Sequence, residues 1–156
     1  LLGMKPIDNC VIAFSLSPVS VARAIEHKAP NLGRRIHAMQ QLQKHGWQVG
    51  LRFDPLIYQT GFERDYRELF ANVFSSLDPG LIHSVSLGSF RLPKPFFRKI
   101  SALYPDEKLF AAALDESQDM VSYEETIRHH LLSFCRDEIL SYLPEQKFFP
   151  CEPLPS

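Results

Sequence analysis

Apolar and polar residues recur along this chain with two different periods, and the changes of period mark out its elements. The stretch NCVIAFSLS, residues 9–17, is short, apolar and β-branched at its start, then turns small and polar at Ser15 and Ser17. That is the pattern of a strand. After Pro18, VSVARAIEH reads as a short helical turn, and KAPNLG as a loop punctuated by Pro30 and Gly33. From Arg34 to His45 the period is helical. Ile36, Met39 and Leu42 recur every three residues, with Ala38 beside them and Gln and Lys on the other face. Gly46 stands where helices commonly stop. WQVGLRF, residues 47–53, predicts a second strand, and DPLIYQTG, residues 54–61, a loop opened by Pro55.

The clearest element is a helix from Phe62 to Leu77. Its residues Tyr66, Leu69, Phe70, Val73, Phe74 and Leu77 form one apolar stripe. Thr60 and Glu63 have capping-box spacing at its start, and Asp78-Pro79-Gly80 ends it as a turn. LIHSVSLGSF, residues 81–90, predicts a third strand, and residues 94–103 a short helix with Phe97, Ile100 and Leu103 inward. KLFAAAL, residues 108–114, carries both signals: its alanines favour helix, its length and context a strand. Ser122 and Glu125 make a second capping box before a long helix whose apolar side is Ile127, Leu131, Phe134, Cys135, Ile139 and Tyr142. The tail LPEQKFFPCEPLPS carries four prolines and reads as extended. The order β-α-β-α-β-α-(β)-α argues for an α/β fold with parallel strands and right-handed crossovers. Such a series fits part of a TIM-like barrel or a small doubly wound sheet.

Composition narrows the classes. The 156 residues suit one domain with a real core. A net charge of −1 gives no overall basic field to attract nucleic acid. No apolar run approaches the roughly 18–20 residues that span a membrane, so no membrane partner is expected. The N-terminus, LLGMKPIDNC, lacks the pattern of a signal peptide and does not begin with Met, so the chain is expected to start partway through a longer protein. Cys10, Cys135 and Cys151 are far apart and form no C-x-x-C motif, which leads us to expect free thiols and a cytoplasmic setting. Neither G-x-G-x-x-G nor G-x-x-x-x-G-K-[ST] occurs.

In parallel α/β folds, ligands bind beyond the carboxyl ends of the strands. All three strands end in polar residues: Ser15 and Ser17; Arg52 and Asp54 before Pro55; and Gly88, Ser89 and Arg91. Arg52 and Asp54 share parity and point to one side of their strand. They either pair with each other or with neighbours, or serve a ligand. His129, His130 and Cys135 share a helix, but at spacings that do not put ligands on one face. Glu63 and Asp65 suit a helix N-terminus without further function. Arg91, Lys94, Arg98 and Lys99, set among aromatics, have the charge to contact phosphates but read better as a solvated helix face.

The blocks VIAFSLSP, IEHKAPNLGRRIHAMQQLQKHGWQVGLRFDPLIYQTGFERDYRELF and HSVSLGSFRLPKPFFRKI, in that order, resemble the second half of the spore photoproduct lyase family of radical S-adenosylmethionine proteins. The resemblance runs from about Asn9 to Tyr142, and Gly61 to Phe70 is its strongest anchor. It implies the C-terminal part of a partial TIM-like (β/α)6 barrel, with residues 1–118 as barrel units and 119–156 as a C-terminal helix and proline-rich tail. It also implies a [4Fe–4S] cluster and S-adenosylmethionine, cleaved to a 5′-deoxyadenosyl radical that abstracts hydrogen from a thymine photoproduct in DNA. Ser15 falls where the family places a serine near the methionyl or ribose part of the cofactor. Asp54 falls where the next strand passes the adenosine, at a position that holds a small residue in the family. Glu26 and Arg35 match an acidic residue and an arginine of the intervening loop and helix. The expected cofactor-binding residues are therefore Ser15, Ser17, Arg52 and Asp54.

Three family features lie outside this chain or are altered in it. The C-x-x-x-C-x-x-C cluster motif and the hydrogen-donating cysteine belong to an expected N-terminal half, the anticipated partner of this one. The Gly- and Lys-rich hairpin that meets DNA is replaced by the acidic DESQDMVSYEE, residues 115–125. Two further readings stay open on the residues. One is a radical S-adenosylmethionine protein with a substrate other than DNA. The other is a non-catalytic α/β interaction module, whose partner would cover the strand edges of a half barrel.

Overall fold

A computed structural model describes residues 1–26, 28–105, 112–117 and 119–153. In chain order the elements are β1 (Val11–Ser15), α1 (Val19–Ile25), α2 (Leu32–Lys44), β2 (Gln48–Leu56), α3 (Phe62–Ser76), β3 (Ile82–Ser89), β4 (Arg91–Pro93), α4 (Lys94–Leu103), β5 (Leu114–Ser117), β6 (Met120–Tyr123), α5 (Glu125–Leu140) and β7 (Phe148–Pro150). Strands β1, β2, β3 and β7 lie side by side in that order, and every pairing among them is parallel. Strands β4, β6 and β5 form a separate antiparallel sheet. Among the described residues no helix is long and apolar enough to cross a membrane.

The two faces of the parallel sheet differ because its strands alternate. Val49, Leu51 and Phe53 of β2 and Val85 and Leu87 of β3 are fully buried. They face the helices: Phe53 meets Phe70 of α3 edge-on, with ring centroids 5.0 Å apart. Helix α5 packs on β3 and on α3, where Phe62 meets Phe134; Tyr142, expected on the apolar side of this helix, lies just past its end, where it stacks on Phe74 at 4.7 Å. Each large apolar side chain buried this way contributes roughly 1.5–3 kcal/mol. Helix α2 is fastened to the end of α3 by polar groups. The buried Gln43 side chain donates to the Asp78 carbonyl at 3.0 Å and accepts from the Asp78 N–H at 2.9 Å. The α3 stripe read from the sequence is buried at every position, Leu77 included.

Between these residues, on the other face, stand Ala13 and Ser15, Gly50, Arg52 and Asp54, Ser84, Ser86 and Gly88. The residues of this face are small or polar, so the sheet is walled by α2, α3 and α5 on one side and open on the other.

Several local expectations need correction. β2 does not end at Phe53 with a loop beginning at Asp54; it runs through Pro55 to Leu56, which is paired with Ser89. The proline is tolerated because it sits in the register shift between Phe53 and Leu56, where the regular ladder is interrupted and the missing N–H is not needed. Neither capping box forms. Gly61 takes the N-cap of α3 with a left-handed φ of 80°, which leaves Thr60 outside the helix, and Ser122 is held in β6 opposite Arg91 and Asp115. In α4, Phe97 and Ile100 are half-buried, but Leu103 is 71% exposed. The extended tail becomes β7, paired with Val85, Ser86 and Leu87 of β3. Gly46 does stop α2, at φ 83°. Most of KLFAAAL, residues 108–111, lies outside the described residues.

Candidate functional site

The open face is organised by strand register. Ser15 of β1 lies opposite Arg52 of β2, Arg52 opposite Ser86 of β3, and Ser86 opposite Phe149 of β7. The row towards the strands' amino ends is Ala13, Gly50 and Ser84. Together these strands enclose an open hollow of about 640 Å³, lined among others by Ser15, Arg52, Asp54, Ser84, Ser86 and Cys151. That volume suits a small organic ligand.

Glycines decide where its two charged side chains lie. A Cβ on Gly50 would stand 3.1 Å from the Arg52 Nη2 atom, so the guanidinium uses the space that Gly50 leaves. From there Arg52 Nη1 donates to the Leu51 carbonyl at 3.1 Å and to Ser84 Oγ at 3.2 Å. A Cβ on Gly88 would stand 3.0 Å from the Asp54 carboxylate and 3.1 Å from Arg91 Nη1. Gly88 thus admits an ion pair between Asp54 and Arg91, 3.6 Å apart, which Arg91 extends to Glu152 at 3.4 Å. Glu152 also accepts from the Ser89 N–H, and the Cys151 N–H donates to the Leu87 carbonyl at 2.7 Å, so the tail is laced to the end of β3.

The Cys151 thiol sits beside Asp54 and Ser86. Burial raises its pKa, and the neighbouring Asp54 carboxylate raises it further. Ser86 is 7% exposed, and its hydroxyl has no hydrogen-bond partner among the described residues.

Ser15, Arg52 and Asp54, three of the four residues expected from the sequence, share this hollow. Ser17 does not line it and lies half-buried just past the end of β1. Glu26 and Arg35 form an ion pair, and Arg35 Nη1 donates to the Ser15 carbonyl at 2.8 Å, so this pair holds the end of β1. Sequence reasoning missed Ser84, Ser86 and Cys151. The alternation of serine with Val85 and Leu87 in HSVSLGS carried the signal for the first two. Nothing local marked Cys151, because only the pairing of β7 with β3 brings it to the face. His130, weighed earlier with Cys135, instead meets Glu63 at 2.9 Å, and Cys135 is buried in the core.

The segment after Asp54 is pinned from two sides. The Ile57 N–H donates to the Tyr66 hydroxyl at 2.7 Å, and the Tyr58 N–H to the Tyr123 hydroxyl at 3.0 Å. Burial pushes the Tyr66 phenol well above its ordinary pKa and raises that of Tyr123 to about 12.

Residues 1–130 match the family model described as spore photoproduct lyase. The chain belongs to the spore photoproduct lyase family. It is 31% identical to spore photoproduct lyase of Bacillus subtilis (strain 168) over 120 residues, which are 76% of this chain and 34% of that protein. The chain therefore spans about a third of the length of this curated relative. Among solved structures it resembles a doubly substituted spore photoproduct lyase with bound AdoMet and dinucleoside spore photoproduct, with a TM-score of 0.75 and 21% identity, over 90% of this chain and 43% of that one. A spore photoproduct lyase complexed with dinucleoside spore photoproduct matches at a TM-score of 0.72, 21% identity and the same coverage. These likenesses establish a mixed α/β fold with a parallel sheet, shared with the lyase structures.

Proposed function

We propose that this chain is the C-terminal part of a radical S-adenosylmethionine enzyme of the spore photoproduct lyase type, and that the open sheet face holds S-adenosylmethionine. The observation that carries this reading is the one-sided sheet, apolar against helices and polar across Ser15, Arg52 and Ser86 on its open face. Such a face fits one wall of a partial (β/α)6 barrel, with residues 1–118 supplying the barrel units and 119–156 adding α5, β7 and the tail. β1 lies at the edge of its sheet, and Leu1, Leu2, Met4 and Ile7 before it are exposed, which suits an upstream half that completes the wall.

The side chains present fit a polar nucleoside ligand. The Ser86 hydroxyl is without a partner, and Gly50 and Gly88 keep the floor low where Arg52 and Asp54 lie. Ser15 would meet the methionyl or ribose part, Asp54 would accept from ribose hydroxyls or the adenine amino group, and Arg52 would donate to an anionic group, while Ser17 lies outside the hollow. S-Adenosylmethionine held there by Ser15, Arg52 and Asp54 would supply radical chemistry for hydrogen abstraction. This chain's own residues would orient that ligand and shield it from water. They do not fit the cluster: Cys10, Cys135 and Cys151 lie in separate parts of the fold, and the described residues offer no group of three metal ligands. Its cysteines would come from the upstream half.

The test is to produce the protein with its N-terminal half, reconstitute it anaerobically and look for 5′-deoxyadenosine. None formed with an intact cluster sinks the enzyme reading. Asp54→Ala should weaken S-adenosylmethionine binding by tenfold or more while urea stability changes by less than about 1 kcal/mol, as for other partly exposed ion pairs. Equal loss of both would make Asp54 a structural residue.

One observation favours a second reading of the substrate. The β5–β6 hairpin exposes Asp115, Glu116 and Asp119, a surface that repels phosphates. A DNA titration of the full-length protein at several salt concentrations separates the two. Salt-dependent affinity supports a DNA lesion substrate, and its absence supports a different one.

A further inference from the structure

We propose that Arg52, Ser84 and Ser86 form an oxyanion-binding subsite on the open face, built to take a carboxylate or a phosphate group. Four observations converge on it. First, the Arg52 guanidinium lies in the space above Gly50 and spends only Nη1 on protein acceptors, the Leu51 carbonyl and Ser84 Oγ. Among the described residues its Nε and Nη2 have no acceptor, and it has no carboxylate partner. Arginine presents its donors in a planar fork that matches two oxygens of one anion.

Second, Ser84 accepts from Arg52, which leaves its own hydroxyl hydrogen to donate elsewhere. Third, Ser86 is nine-tenths buried, lines the same hollow and has an unpartnered hydroxyl. A buried hydroxyl without a partner is costly unless a ligand or water completes it, and the adjacent Cys151 thiol is only a weak hydrogen-bonding group. Fourth, the one carboxylate lining the hollow, Asp54, is turned to Arg91 at 3.6 Å, and Arg91 in turn to Glu152, so its charge is partly offset on that side. The guanidinium is held by Ser84 and the backbone, which spares the anion the entropy of ordering it.

The subsite itself stands on these contacts. The source of the oxyanion rests on the function proposed above, in which the cofactor's carboxylate and a substrate phosphodiester are the two oxyanions available. The experiment is a titration of the full chain, labelled for 1H–15N spectra, with acetate, inorganic phosphate and dimethyl phosphate at constant ionic strength. Saturable shifts at the Arg52 side-chain N–H and at the Ser84 and Ser86 amides are expected for at least one probe. Arg52→Gln should weaken that probe by about tenfold or more, the scale of a lost charge-assisted pair. Ser86→Ala, which removes an unpartnered hydroxyl and leaves the core intact, should weaken it severalfold. The exposed control Arg34→Gln should leave it unchanged.

Acetate bound in preference to the phosphates supports a cofactor carboxylate as the occupant, and dimethyl phosphate in preference supports a substrate backbone. No saturation with any probe, or equal affinity in Arg52→Gln and the parent chain, overturns the subsite. S-Adenosylmethionine titrated alongside separates this outcome from failure of the enzyme reading. If it binds equally well to the parent and to Arg52→Gln and no oxyanion probe saturates, the subsite falls and the cofactor reading stands. Oxyanion binding with no 5′-deoxyadenosine from the full-length protein gives the reverse.

Discussion

Tyr66→Phe removes one oxygen atom from the interior, and its cost follows from what that oxygen does. Tyr66 is 1% exposed, and Ile57, whose N–H it accepts at 2.7 Å, is 5% exposed. The phenylalanine ring keeps the packing against Phe70 and Phe62, so no cavity of consequence opens. What is lost is the acceptor for a buried backbone N–H, together with a weak donation to the Ile57 carbonyl at 3.4 Å. No water reaches an N–H in that position, so the full desolvation penalty applies, about 1–3 kcal/mol. A central value of about 2 kcal/mol, with a urea slope on the order of 1–3 kcal/mol per molar for a small domain, moves the unfolding midpoint down by about 1 M. Equilibrium urea unfolding followed by far-UV circular dichroism measures it. Tyr123→Phe is the comparison. Its partner N–H, on Tyr58, is only part-buried, so water replaces some of the loss and the shift should be smaller. A Tyr66→Phe midpoint within about 0.2 M of the parent would refute the view that the tyrosines pin the segment after β2.

Two further outcomes test the chemistry of buried groups. Burial holds Tyr66 and Tyr123 neutral with folded pKa values above 10.0, and for Tyr123 the contribution is complete below pH 10 and is lost as pH rises from 10 through about 12. A two-unit rise at Tyr123 corresponds to on the order of 2–3 kcal/mol across that window, and urea midpoints measured between pH 9 and 12 should fall less steeply in Tyr123→Phe. Cys135 is fully buried with its thiol pKa raised well above the ordinary value by burial, so Ellman's reagent at neutral pH should reach it only on unfolding, whereas the exposed Cys151 reacts in the native state. Three thiols titrating in the native protein would contradict the packing of α5.

Much of the architecture was legible in the chain because periodicity is a local property. The α3 stripe, the stop at Gly46 and the strands around Ile12, Leu51 and Val85 each follow from side chains within a few residues of one another. Parity alone put Arg52 and Asp54 on one side of β2, and the strand-end rule pointed to the face where Ser15 joins them. Capping was less legible. Thr60 and Ser122 had the right spacing, but Gly61 took the cap position in one case and strand pairing claimed Ser122 in the other.

Sequence by itself determined which residues are apolar on one face of each strand and helix, because that depends only on the repeat of 2 or 3.6 residues. It could not determine what the polar face would meet, because that depends on register between segments far apart in the chain. Only the tertiary structure set Ser86 opposite Arg52, brought Cys151 and Glu152 back along β3, and turned Asp54 to Arg91 through the gap above Gly88. The physical reason is the short range of hydrogen bonds and ion pairs: they act over a few ångströms, and residues as far apart in the chain as Arg91 and Glu152 reach that range only after the sheet has formed.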